Sequence, residues 1–309
     1  MPINHFSAQR FSRLQLLAKQ AVEGFITGLH KSPYHGFSVE FAEHRAYNSG
    51  ESTRHIDWKL FGRTDKMFVK RYEEETNLRC QILIDHSGSM FYPQKKDEHS
   101  VNKIQFAAQS AASLIYLMRS QRDAVGLSLI GDGLEWSSPA KSSSVHQNYL
   151  FAQLEKIYDE ESGSNKSELT KALHAIADQS HKRSLIVVFS DFLDSLFKGE
   201  EDQSKLFEAL QHMKYNKHEV ILFHLSDKHT EVDFELENRP YTFVDLETGE
   251  KVKVMPNEVK EYYTSTRQKR INEIKLKSRQ YGIDWIETDI QDGVEKVLDR
   301  FIAKRSRLF

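Results

Sequence analysis

Three oxygen-bearing side chains, Asp85, Ser87 and Ser89, occupy every second position in the segment RCQILIDHSGSM, residues 79–90. A carboxylate and two hydroxyls at i, i+2 and i+4, where an apolar strand gives out, can be turned toward one point. Hard divalent cations such as Mg²⁺ take oxygen ligands at about 2.0–2.1 Å and commonly keep positions for water or an incoming carboxylate. The spacing therefore predicts a cation gripped from one side by the protein and open on the other. Two later segments carry the same kind of donor. SNKSELTKAL (164–173) offers Ser167 at the expected start of a helix, with Ser164 and Thr170 nearby, and SLIVVFSD (184–191) ends in Asp191, with Asp194 following. Each has a plainer use: Ser167 as a helix N-cap, Asp191 as a residue closing a strand. A D-x-S-x-S string by itself is also a weak motif. Their common placement, at strand ends and helix starts, favours one shared cation site over three unrelated caps.

The elements that must position these side chains alternate between the two periodicities. QILID reads as a strand, 102–121 as an Ala-rich apolar helix, AVGLSLI (124–130) as a strand, and 146–158 and 167–179 as helices. SLIVVFSD follows as a strand, 202–215 as a helix and HEVILFHL (218–225) as a strand. Runs apolar at every position, such as VVF and VILF, suit strands covered on both faces. The alternation predicts an α/β fold with a doubly wound, mostly parallel sheet, whose ligands would lie beyond the carboxyl ends of the strands. Before this region, 11–29 has helical spacing and 35–78 gives mixed signals. After it come a hairpin in YTFVDLETGEKVKV, a long helix over 256–281 carrying the basic runs RQKR and KLKSR, a strand in GIDWIET and a final helix to about 303. The expected division is an N-terminal extension, 1–78, packed on a main domain, 79–309, into which the hairpin is inserted.

Composition narrows the function classes. With 39% hydrophobic and 28% charged residues over 309 positions, the chain can bury a sizeable core. A formal net charge of −2 provides no field to recruit nucleic acid or an anionic membrane. The single cysteine, Cys80, excludes an intrachain disulfide, and its place in an apolar strand suits a buried structural thiol. The 14 histidines show no paired zinc-site spacing. No apolar run reaches the roughly 18 residues needed to span a bilayer, and the N-terminus lacks a secretion-signal pattern. No nucleic-acid partner and no membrane span are expected, and a cytoplasmic location follows as the expectation.

The order ILIDHSGSM, then ELTKAL, then VVFSD resembles the von Willebrand factor A domain with its metal-ion-dependent adhesion site, which uses D-x-S-x-S, a threonine and a second aspartate. The resemblance implies a Mg²⁺ (or Mn²⁺) site of Asp85, Ser87, Ser89, Ser167 and Asp191, with Ser167 standing where the threonine is usual and Thr170 as the other hydroxyl available. The preceding segment, HRAYNSGESTRHIDWKLFGRTDK, is similar to the bacterial family known as domain of unknown function fifty-eight, with its pattern R-x-Y-x-x-G-[DE]-x-x-R-x-I-D-W. The matching residues are Arg45, Tyr47, Gly50, Glu51, Arg54, Ile56, Asp57 and Trp58, with Arg63 beyond. Glu51 replaces the more usual aspartate and keeps the charge. Read from the residues alone, this segment is a buried aromatic and ion-pair clasp fixing the N-terminal region; a partner-binding surface is compatible with that. Many relatives carry N-terminal membrane helices, which this sequence lacks.

Family members resembling this chain are commonly encoded with MoxR-type AAA+ ATPases and are thought to help mature or remodel other proteins. The resemblance thus implies a non-enzymatic, metal-dependent interaction module whose partners are such an ATPase and a client protein. The alternative is a Mg²⁺-dependent phosphohydrolase using Asp85 as nucleophile. Against it, Ser87 stands where the haloacid-dehalogenase pattern wants a second aspartate, and no lysine is evidently placed to neutralise phosphate. No nucleotide-binding glycine motif occurs.

Overall fold

A computed structural model describes residues 13–29, 44–46, 58–70, 78–94, 100–164, 168–197, 199–246 and 249–305. The chain divides into two compact units, one of Met1–Phe25 with Leu78–Phe309 and one of Ile26–Asn77. The helix α1 (Arg13–Leu29) begins in the first unit. The smaller unit contains β1 (His44–Ala46), α2 (Trp58–Thr64) and β2 (Phe68–Lys70), with β1 and β2 antiparallel.

In the larger unit, β3 (Arg79–Asp85) leads to α3 (Lys103–Ser120), β4 (Ala124–Gly131), β5 (Gly133–Lys141) and α4 (Ser144–Asp159). Then come α5 (Leu169–Gln179), β6 (Leu185–Ser190), α6 (Leu193–Phe197), α7 (Glu200–Tyr215) and β7 (Glu219–Ser226). The chain continues through β8 (Tyr241–Val244), β9 (Lys251–Val254), α8 (Pro256–Gln280), β10 (Asp284–Asp289) and α9 (Glu295–Arg305). Six strands form one sheet in the order β10-β7-β6-β3-β4-β5. All neighbours run parallel except β4 and β5. This is a mixed α/β fold with a mostly parallel central sheet.

The apolar runs explain why helices cover both faces. Successive strand side chains point to opposite sides. Cys80, Ile82, Ile84, Val187, Phe189, Ile221 and Phe223 enter one core with Leu14, Ala18 and Val22 of α1 and the inner faces of α3, α4 and α9. Leu83, Ile186, Val188, Val220 and Leu222 enter the other, with α5, α7 and part of α8. Ala107, Ala108, Ala111 and Ala112 of α3 are fully buried, and their small side chains let the helix lie close to the sheet. Cys80 is completely inaccessible within β3, which has a partner strand on each side.

The strand order fixes where a site can form. From β3 the chain moves to β4 on one side, and it later returns to β6 on the other. The sheet therefore has its topological switch between β3 and β6, where connections diverge and leave a crevice beyond the carboxyl ends. Asp85 ends β3, and Asp191 directly follows β6.

The sequence reading did not anticipate β5. Four of its nine residues are exposed and one is buried, Pro139 interrupts them, and they alternate only loosely; such features suit an edge strand. Gly133 (φ +88°) makes the tight reversal from β4 possible. The hairpin of β8 and β9 forms a separate two-stranded sheet.

Candidate metal centre at the sheet switch point

Asp85 is 2% exposed, and both its carboxylate oxygens are engaged. The Ser87 backbone N–H donates to Oδ1 at 3.0 Å and the Ser190 hydroxyl donates to Oδ2 at 2.6 Å. Burial, followed by the nearby Asp191 charge, pushes the Asp85 pKa up to about 6 against the opposing pull of the Ser190 and Ser87 hydrogen bonds. The Ser87 and Ser89 hydroxyls lie 3.1 Å apart, Ser87 buried and Ser89 partly exposed. A carboxylate held in its charged form at this depth is destabilising unless a cation balances it.

The loop is pinned rather than free. The His86 N–H donates to the Ile130 carbonyl (2.7 Å), the Ser164 N–H to His86 O (2.8 Å) and the Gly88 N–H to Ser164 O (2.9 Å). Ser87 and Ser164 form an isolated parallel bridge. The two segments can approach because Gly163 has no side chain: a Cβ there would lie 2.2 Å from the His86 carbonyl oxygen. The His86 ring is held between Glu135 (3.2 Å) and Glu160 (2.5 Å), one on each nitrogen. Ser164 is thus brought against the Asp85 loop. Ser167 lies outside the described residues. Thr170 sits in the first turn of α5, near the point where the Glu168 N–H donates to Gly131 O at 2.8 Å.

Asp191, 3% exposed, turns its Oδ2 onto the Lys103 ammonium at 2.7 Å, and its Oδ1 accepts the Leu193 N–H at 3.3 Å. Lys103 also reaches Glu231 Oε1 at 2.8 Å. Burial alone would lower the Lys103 pKa, but Asp191 and Glu231 more than offset that and hold it above its usual range. Beneath Asp191, His224 is buried, hydrogen-bonded to the Asp191 backbone and stacked on Trp285 at 5.1 Å. Burial, reinforced by Arg267, holds its pKa well below the ordinary value, which leaves the ring neutral.

The donor set has the chemistry of a hard divalent site. Asp85, Ser87 and Ser89 present oxygen atoms only, and the nearby Asp191 charge adds to the cost of ionising Asp85. Among the described residues no three His, Cys, Asp or Glu side chains form a metal-binding group, so a cation here would depend on the serine hydroxyls. Sequence reasoning missed Ser190, Lys103 and Glu231. Ser190 had a visible signal, a hydroxyl directly before Asp191 at a strand end, whereas Lys103 and Glu231 had none.

Of the residues proposed as a clasp, Trp58 opens α2, is 59% exposed and meets Phe61 edge-on at 6.1 Å. The backbone of Arg45 pairs with Val69. Tyr47, Glu51, Arg54 and Asp57 lie outside the described residues.

A family model described as "Protein of unknown function DUF58" matches residues 43–272. The chain belongs to the DUF58 family. An uncharacterized protein of Mycobacterium tuberculosis is 26% identical over 181 residues, which is 58% of this chain and 55% of that protein. The chain thus spans about half the length of the curated relatives it matches. Two of the solved structures it is similar to are from Bacteroides species. The conserved hypothetical protein BatB from Bacteroides thetaiotaomicron has 13% identity and a TM-score of 0.46 over 74% of this chain and 99% of that one. An aerotolerance-related membrane protein from Bacteroides fragilis has 16% identity and a TM-score of 0.43 over 74% and 99%. At these scores the likenesses add nothing to the fold already described.

The cytoplasmic expectation is withdrawn. That no helix among the described residues is long and apolar enough to cross a membrane does not fix a compartment.

Proposed function

We propose that this chain is a metal-dependent protein-interaction module of the von Willebrand factor A type, which works with a MoxR-type AAA+ ATPase on a client protein. The observation carrying the reading is Asp85: a buried carboxylate at the switch point, pushed toward protonation, with two serine hydroxyls on the loop it opens. Mg²⁺ or Mn²⁺ held by Asp85, Ser87, Ser89 and Asp191 and, by the resemblance, Ser167 would offset the charge of the Asp85 carboxylate. A partner's aspartate or glutamate would complete its coordination and couple binding to the position of the loop. The ATPase is inferred from the family resemblance alone.

The phosphohydrolase reading gains one specific observation, a lysine beside the strand-end aspartates. Lys103 is fully buried and committed to two carboxylates, so it is not free to neutralise a phosphoryl substrate, which favours adhesion.

The test is a pull-down from native lysate with the wild type in Mg²⁺, the wild type in EDTA, and folded Asp85→Ala. Recovery of an AAA+ ATPase or a client in the first arm alone supports a metal-bridged site. Equal recovery in all three puts the partner surface elsewhere. Mg²⁺-dependent release of inorganic phosphate from a generic phosphomonoester, lost in Asp85→Ala, would overturn the adhesion reading in favour of the enzyme.

A further inference from the structure

A lysine side chain with no exposure, the first residue of its helix, is an unusual component for a cation site. Lys103 is positioned from three directions. Its backbone N–H donates to the Tyr92 carbonyl at 3.1 Å, and the preceding Asn102 caps α3 through the Gln105 N–H at 3.0 Å. Its ammonium lies 2.7 Å from Asp191 and 2.8 Å from Glu231. Glu231 is itself fixed, because its other carboxylate oxygen accepts the Asp227 N–H at 2.8 Å and its carbonyl accepts the Tyr263 hydroxyl at 3.1 Å. The ammonium therefore cannot drift away from Asp191 without leaving that buried carboxylate unpaired, which is strongly unfavourable.

We propose that Lys103 is a tethered internal cation that competes with the divalent ion for Asp191 and thereby keeps the ion's affinity low until a partner carboxylate binds. The inference rests on the metal-site reading above and assigns its regulation. Asp191 Oδ2 is already neutralised by the ammonium, so an arriving ion gains little from that carboxylate. It is held chiefly by Asp85 and the two hydroxyls. One carboxylate and neutral oxygens leave most of the ion's charge uncompensated, and the ligand that compensates it comes from outside. Lys103 is in these terms a positioning residue: it withholds Asp191 from the metal and so makes the ion dependent on the partner. Glu231 anchors the ammonium in that role.

The arrangement permits a test in which net charge is constant. Lys103→Met with Glu231→Gln removes one positive and one negative charge, leaving the cluster's total unchanged while freeing Asp191. The variant leaves the Asp191 carboxylate without its ammonium, which costs stability, so folding of each variant is verified by circular dichroism before titration. Lys103→Gln with Glu231→Gln keeps hydrogen bonding between the pair and serves if the first variant fails to fold. Mn²⁺ binding to the full chain is followed by titration calorimetry and by the loss of the free-ion paramagnetic signal, with Asp85→Asn as control. The expected result is Asp85-dependent binding in the wild type and at least tenfold tighter binding in the double variant. The same result stands if the wild type binds too weakly to detect and the double variant binds. Equal or weaker binding by the folded double variant, with the wild type binding through Asp85, overturns the role of Lys103 and leaves the metal site standing. Absence of Asp85-dependent Mn²⁺ binding in every variant overturns both.

Discussion

Asp85 dominates the chemistry at the residue scale. Its pKa is pushed up from 3.8 to about 6, so the folded state binds the proton more tightly than the unfolded chain does. A carboxyl shifted in that direction favours the fold at acidic pH, and the benefit is lost as pH rises from the unfolded value through the folded one. At pH 7 without divalent ions the charged Asp85 costs the fold on the order of 3 kcal/mol. Asp85→Asn is therefore expected to raise the urea midpoint in EDTA at pH 7, to leave it nearly unchanged at pH 4, and to abolish stabilisation by added Mg²⁺. Equal midpoints for the two proteins at pH 7 would show that the charge is already compensated. Asp85, Ser87 and Ser89 were legible in the sequence because their relationship is local. Lys103 was not: it meets Asp191 across 88 residues, and a lysine opening an Ala-rich helix reads as a solvated charge until the strand order brings the two together. Ser167 stays where the sequence left it, a candidate by resemblance.

Among the elements, the strap from Glu160 to Ser164 does most to shape the Asp85 loop. It has no regular secondary structure, yet the two backbone hydrogen bonds of the Ser87–Ser164 bridge bind it to that loop. Gly163 is the enabling position. A methyl group there would lie 2.2 Å from a backbone oxygen and 2.5 Å from the Phe91 ring, so the strap itself would have to move. Gly163→Ala should lower stability by about 1–3 kcal/mol through overpacking, measured by chemical denaturation. A change below about 0.5 kcal/mol would mean that the strap yields freely. The long apolar strands β3, β6 and β7 were readable because burial on both faces demands apolar side chains throughout. β5 was not, because an edge strand can be exposed, broken by proline and paired on one side only. Sequence spacing identified α8 as helical, and its burial at Arg267, Ile271, Ile274 and Ser278 shows which stripe faces inward.

At the scale of the molecule, the placement of the site follows from the path of the chain more than from any one motif. Connections leaving β3 and arriving at β6 diverge to opposite faces, so the two aspartates are neighbours although they are distant in sequence. The alternation of strands and helices made that architecture legible, but not the order β10-β7-β6-β3-β4-β5, since several orders satisfy the same alternation. The fully inaccessible thiol of Cys80, in the middle of the same sheet, has a practical consequence. It is the chain's single cysteine, so a thiol-reactive reagent has one target, and that target is hidden until β3 separates from its neighbours. The rate of labelling is then a clock for opening of the central sheet. Saturating Mn²⁺ should slow that clock if the ion binds beyond Asp85, at the end of the same strand. Labelling that proceeds within seconds in native buffer would mean that β3 is far less securely held than its burial implies.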